Sequence, residues 1–292
     1  MRTRLFALTA LAIVSAACDK GDKGPGYEGP VAAEIIADIG TATRMSGTSW
    51  EEGDRIGIFC FSGKYADIPY KMTDGKFTPE EETIYLQDSE DVTFSAYFPY
   101  GSGESTVRTD ADNQGPGIDF LFASGATATA LDPTVNFTDK NAGDEYDPEK
   151  DHSFHHCMSL LKFRFKPGDG VDFSLSTPSS YSLYPVVLEG YFDKYTGETE
   201  LYDDSVEEIT MPLDGLESQI ILFPQQVSGL SLTVRYNDVN YMVDLPSPQN
   251  GMLEAGYSYT YNVRVNNSGI KLETSSIVGW ETAGTDNPSV LL

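Results

Sequence analysis

Basic residues are scarce in this chain: 19 Lys and Arg stand against 45 Asp and Glu, a formal charge of −26. Such a surface repels phosphate backbones and anionic lipid, which excludes nucleic acid and unaided adsorption to a membrane. With three cysteines in 292 residues there is no disulfide scaffold. Past the first 17 residues no apolar run reaches the roughly 18 residues of a membrane-spanning helix. A glycine loop for phosphates, a nucleophile elbow and a zinc-protease helix are all missing as well. In a chain this acidic, carboxylate pairs arise by accident, so none of them marks a glycosidase. The expectation is a protein that is not an enzyme and needs no cofactor.

What is there begins with an address. Arg2 and Arg4 precede the apolar stretch Leu5 to Val14, and Ser15-Ala16-Ala17-Cys18 follows. This is a secretory signal over residues 1–17. The cysteine directly after small residues resembles a bacterial lipoprotein signal, in which Cys18 becomes the lipidated first residue and the lipid alone supplies membrane attachment. Residues 18–30 are rich in Gly, Pro and charge and have nothing to bury, so they read as a flexible tether.

Val31 to Ile39 is a candidate first strand. Beyond Trp50, short apolar runs alternate with turn residues every eight to twelve positions, without a helical period. The runs include Arg55 to Phe61, Glu82 to Gln87, Val92 to Phe98 and Asp119 to Ala123. Glu52-Gly53-Asp54 and Thr73-Asp74-Gly75-Lys76 carry turn chemistry. Further strands are expected at Ser182 to Phe192, Glu207 to Met211, Gln219 to Phe223, Leu230 to Tyr236, Tyr241 to Leu245, Tyr257 to Val265 and Ile270 to Leu272. Tyr257, Tyr259, Tyr261, Val263 and Val265 alternate with polar residues, as a strand with one packed face requires. Asp193 to Gly197 and Arg235 to Asp238 read as hairpin turns.

Six acids crowd Asp139 to Asp151 around Gly143 and Pro148. They lack the regular spacing of a calcium loop and read as a solvated loop or boundary. The chain is therefore all-β, with two successive β-sandwich domains, residues 31–150 and 151–292.

All three histidines lie between His152 and His156, with Cys157 beside them. Imidazole and thiolate suit zinc or copper. On a strand, however, His155 and His156 point to opposite faces, and no third or fourth ligand is local. Strand packing is the expected role, and no metal. Phe154, His156, Met158 and Leu160 share one phase while Leu161, Phe163 and Phe165 share the other, which predicts a bulge or bend at Leu160-Leu161. Cys60 and Cys157 both fall in strand-like segments. They form a disulfide if those strands adjoin, and otherwise remain two buried thiols.

Several stretches, taken in order, resemble the fimbrillin-like family of pilus subunits and surface lipoproteins from gut and oral Gram-negative anaerobes. They are Thr43-Arg44, the run Trp50 to Phe59, Phe94 to Tyr100, Phe154 to Phe163, Gly190 to Gly197, Phe223-Pro224-Gln225-Gln226, Ala255 to Tyr261 and Ile277 to Trp280. The resemblance implies tandem transthyretin-like β-sandwiches exported as a lipoprotein to the outer membrane and displayed at the surface or in a fimbrium. It further implies pilin partners joined by strand exchange: a protease cuts after an arginine, here Arg44, the first strand leaves, and a strand of the next subunit fills the groove.

After Trp280 the chain stays polar until Ser289-Val290-Leu291-Leu292, which is poor material for an alternating donor strand. An anchor, accessory or tip role fits better than a shaft. The alternative is a surface lipoprotein that captures glycans without polymerising; exposed aromatic platforms would favour it, yet most of the 17 Tyr and 15 Phe alternate within strands. Asp204-Ser205-Val206 resembles a short bacterial O-glycosylation site.

Overall fold

Alternation of apolar and polar residues can bury only one face of a strand, so a chain written this way must wrap its sheets around a core. A computed structural model describes residues 29–39, 49–61, 65–138 and 151–280. The first half forms β1 (Val31–Ala32), β2 (Glu34–Ala37), β3 (Arg55–Cys60), β4 (Ile68–Thr73), β5 (Lys76–Pro79), β6 (Tyr85–Leu86), β7 (Val92–Phe98), β8 (Val107–Arg108), β9 (Leu121–Ala128) and β10 (Thr134–Phe137). The second forms β11 (His155–His156), β12 (Ser159–Pro167), β13 (Ser180–Val186), β14 (Glu189–Phe192), β15 (Thr199–Leu201), β16 (Glu207–Pro212), β17 (Glu217–Leu222), β18 (Gln225–Gln226), β19 (Ser231–Tyr236), β20 (Val239–Asp244), β21 (Met252–Leu253), β22 (Tyr257–Asn266) and β23 (Gly269–Gly279).

The all-β reading holds. In the first half a single eight-stranded sheet, in the order β10-β2-β5-β4-β3-β7-β9-β11, surrounds a core that includes Ile56, Ile58, Tyr70, Phe94, Val135 and Phe137. A bulge at Gly125, where φ is +82°, lets Phe94 face Ala126 while Ser95 already faces Ser124. The extra residue bends β9, and β10 returns beside it. In the second half two four-stranded sheets, β17-β12-β22-β23 and β16-β13-β19-β20, face each other. Leu161, Phe163, Tyr259, Tyr261 and Val263 of one meet Tyr181, Leu183, Ile209, Leu232 and Val234 of the other.

The turn chemistry behaves as expected. Asn237 and Asp238, at φ 49° and 63°, join β19 to β20, and Asp74 and Gly75, at 52° and 77°, join β4 to β5. Two residues with positive φ make the hairpin turn whose twist suits its strands.

The expected bulge at Leu160-Leu161 is not present. β12 keeps its register straight through, with Leu160 opposite Ile221 and Leu161 opposite Ile220. The hydrophobic phase changes because both faces of β12 are covered there: Leu161 points into the sandwich core, and Leu160 into a third cluster. That cluster joins the halves. Phe59, Tyr97, Phe120 and Phe122 from the first pack with Met158, Leu160, Phe192, Phe223 and Trp280 from the second.

Candidate functional site

Two arrangements stand out, the seat of the first strand and the junction between the halves. At the first, β1 pairs with β6 and β2 is inserted between β10 and β5. The β2–β10 pairing is parallel over four residue pairs, from Glu34↔Thr134 to Ala37↔Phe137, whereas β5 meets β2 only at Ile35↔Phe77. Parallel pairing is slightly weaker per residue than antiparallel. Ala33, Ile35 and Ile39 are buried in the core while Ile36 faces out, 47% exposed. At the far end Trp50 donates through Nε1 to the Ala37 carbonyl at 3.0 Å. Its indole lies edge-on to Phe77, Phe98 and Phe154. Arg44, between Ile39 and Trp50, and Cys18 lie outside the described residues.

The junction is stitched by elements that cross it. β8 of the first half pairs with β14, β11 of the second pairs with β9, and Ile39 bridges to Phe154. The Gln114 side chain donates to the Ile221 carbonyl and accepts from its amide. Arg108 holds Asp110, Glu189 and Glu207 together, and its hydrogen bonds to Glu207 and then Asp110 raise its guanidinium further above an already high value.

Two polar groups reach into this apolar joint, the first of them opening to solvent at Glu104. Lys194, whose side chain is 7% exposed, places Nζ 2.7 Å from Asp67 Oδ2 and 3.2 Å from Glu104 Oε1. Burial works against the ammonium, but those two hydrogen bonds outweigh it and hold the amine above the usual lysine value. Tyr97 donates its hydroxyl to Asp67 Oδ1 at 2.7 Å. Burial, then this bond, pushes its phenol well up, so it remains a donor. Gly57 makes the approach feasible: a Cβ there would overlap the Tyr97 ring and stand 2.7 Å from Asp67 Oδ1.

In the second group, His156 donates through Nδ1 to Asp119 Oδ1 at 2.7 Å, with both side chains 1% exposed. The imidazole stacks on Trp280, centroids 4.0 Å apart and planes within 2°.

The three histidines thus have different neighbours. His152 donates to the Ser124 carbonyl, His155 lies edge-on to Phe122, and His156 binds Asp119. Among the described residues, no three His, Cys, Asp or Glu side chains gather as a metal site. No disulfide joins Cys60 and Cys157. Cys60 lies in the first core and Cys157 in the junction cluster. Burial, and then the charge of Asp119, pushes the Cys157 thiol up, which keeps it unreactive.

Sequence reasoning missed the Asp67–Lys194–Glu104 group and Asp119. Lys194 reads as a hairpin residue and the acids are a few among 45; only contact across the chain marks them. One weak signal existed, since Lys194 sits in the Gly190 to Gly197 stretch that carries the family resemblance.

A model of the fimbrillin-like family matches residues 43–280. The chain belongs to the fimbrillin-like family. It is 26% identical to Fim1C of Bacteroides uniformis, named as a candidate fimbrium subunit, over 94% of each chain. Two solved structures described as candidate cell adhesion proteins share its fold. One, from Bacteroides uniformis, has a TM-score of 0.68 and 24% identity over 87% of this chain and 100% of its own. The other, from Bacteroides ovatus, has 0.69 and 24% over 87% and 99%. The stretches that carry the resemblance converge on the first-strand seat and the junction: Trp50, Tyr97, His156, Lys194, Phe223 and Trp280 belong to them.

Proposed function

We propose that this chain is a cell-surface fimbrial subunit, lipidated at Cys18, held at the outer membrane and acting in adhesion. It joins other pilin subunits by exchange of its first strand, and it serves as an anchor, accessory or tip subunit. In this reading residues 31–150 and 151–292 are tandem transthyretin-like domains. The observation that carries it is the seat of β2. Loss of residues 31–39 would uncover one edge of β10 and one of β5 along an apolar cleft lined by the core, and an incoming strand satisfies both the backbone and the cleft. The nine residues between Ile39 and Ser49 hold Arg44, the arginine after which a protease would cut.

The glycan-binding alternative finds less support. Trp50 is packed on three phenylalanines, and the exposed tyrosines, among them Tyr85, Tyr184 and Tyr202, sit on different sheets or loops. Ser205 lies in an exposed, irregular stretch before β16, accessible to a glycosyltransferase.

The test is the N-terminus of the protein recovered from its native cell surface. A chain starting at Met45, in oligomers that resist mild detergent, supports strand exchange. A chain starting at lipid-modified Cys18 and running uncut refutes processing at Arg44 and leaves an anchor, an accessory subunit or a standing lipoprotein.

A further inference from the structure

We propose that Lys194 and Asp67 condense into a side-chain amide, a covalent isopeptide bond that locks the two halves together. It is independent of strand exchange, because neither residue lies in the first-strand segment.

Five observations point to a built site. The two groups are already adjacent: Lys194 Nζ, on a side chain almost wholly out of water, stands 2.7 Å from Oδ2 of the Asp67 carboxyl whose carbon it would attack. Positioning of this kind is worth an effective concentration of about 10⁵–10⁸ M, enough to oppose the cost of condensation in water. A hydroxyl donor, Tyr97, sits on the other oxygen, Oδ1, where negative charge would develop in a tetrahedral intermediate. A second carboxylate, Glu104, touches the same nitrogen at 3.2 Å. Asp67 also has φ at +58°, a left-handed conformation uncommon for a residue with a side chain, and strain of this kind gathers at functional sites. Glycines clear the space around the group: Gly57 leaves room for Tyr97 and Asp67, and a Cβ at Gly103 would be 3.0 Å from Lys194 Cβ.

The atoms balance without an outside reagent. The pair starts as ammonium and carboxylate. Glu104 takes one proton from Lys194 and hands it to Asp67 Oδ2, so that a neutral amine faces a neutral carboxyl; the freed lone pair on Nζ then attacks Asp67 Cγ while Tyr97 holds Oδ1. The bond from Cγ to Oδ2 then breaks. Oδ2 leaves as water, carrying the proton relayed by Glu104 and a second one from Nζ, and one N–H stays on the amide. The ion pair that holds Lys194 as an ammonium makes the reaction slow, so the bond accumulates after folding.

The experiment is a tryptic digest of the folded mature chain after denaturation, read by tandem mass spectrometry. The expected product joins the peptide Tyr65 to Lys71 to a peptide left uncut at Lys194, one water lighter than the two together. Lys194→Arg keeps the ion pair and gives no linked product, and Glu104→Gln slows its appearance at least tenfold while circular dichroism stays unchanged. Cleavage after Lys194 in the wild-type chain, with Tyr65 to Lys71 at its full mass, overturns the proposal. So does loss of water from Tyr65 to Lys71 alone, which is an internal succinimide. If Glu104→Gln forms the bond at the wild-type rate, the relay through Glu104 is wrong.

Discussion

Replacing Ile35 by Ala separates a releasable first strand from one that is simply part of the core. Ile35 is 7% exposed, packs in the first core, and sits at the one position where β2 meets both neighbours. Truncation of a buried Ile to Ala costs about 2–4 kcal/mol, part transfer and part residual cavity. If β1 and β2 open as a unit, that cost falls on the local opening. Hydrogen–deuterium exchange of the amides of residues 34–37 should then accelerate roughly 30- to 700-fold. The amides of β12 and β22 in the sandwich should keep their wild-type rates. Trp50→Phe is the graded companion: it removes the bond to the Ala37 carbonyl, worth about 1 kcal/mol, together with part of the indole packing, and should accelerate the same amides at least about fivefold. Equal acceleration in both halves, or none in residues 34–37, would refute the idea that this segment leaves on its own.

Other perturbations test the joint and the titrating groups. Gly197→Ala, at φ +78° with the new Cβ overlapping the Phe122 ring, should cost about 2–4 kcal/mol in urea unfolding and split the transition as the halves uncouple. Burial first, and then the neighbouring His156, holds His155 down to about 4 from the ordinary 6.5. A folded value below the unfolded one means that the unfolded chain takes the proton first. Stability is therefore intact above pH 6.5 and falls as pH drops from 6.5 to 4, by at most about 3 kcal/mol because part of the residue stays in water. His155→Gln should flatten that slope. A thiol reagent should label neither Cys60 nor Cys157 in the native chain and both on unfolding, whereas a disulfide would leave both unlabelled in each state. In material from the native host, a glycan mass on the peptide containing Ser205 is expected, and its absence would make Asp204-Ser205-Val206 a plain turn.

The strands were legible because their signal is local. Val92 to Phe98 and Tyr257 to Val265 alternate with a period of two, and the observed strands coincide with them or extend them by a residue. Asn237-Asp238 and Asp74-Gly75 announce their hairpins because few other residues tolerate two positive φ angles in succession. The phase change at Leu160-Leu161 was also visible, but its cause was not. A bulge and a strand covered on both faces write the same pattern, and only the position of β12 against the first half separates them.

By itself, then, the sequence determined the all-β class, most of the strands and turns and an acidic balance of charge, since each follows from residue type and short-range spacing. The tertiary structure alone decided that the first half is one wrapped sheet, that β2 lies parallel to β10, and that Lys194 meets Asp67 while His156 meets Asp119 and Trp280. Those pairings join residues far apart in the chain, 127 positions in the case of Lys194 and Asp67. No local periodicity encodes such a distance; it is fixed when the apolar faces of both halves are buried against each other.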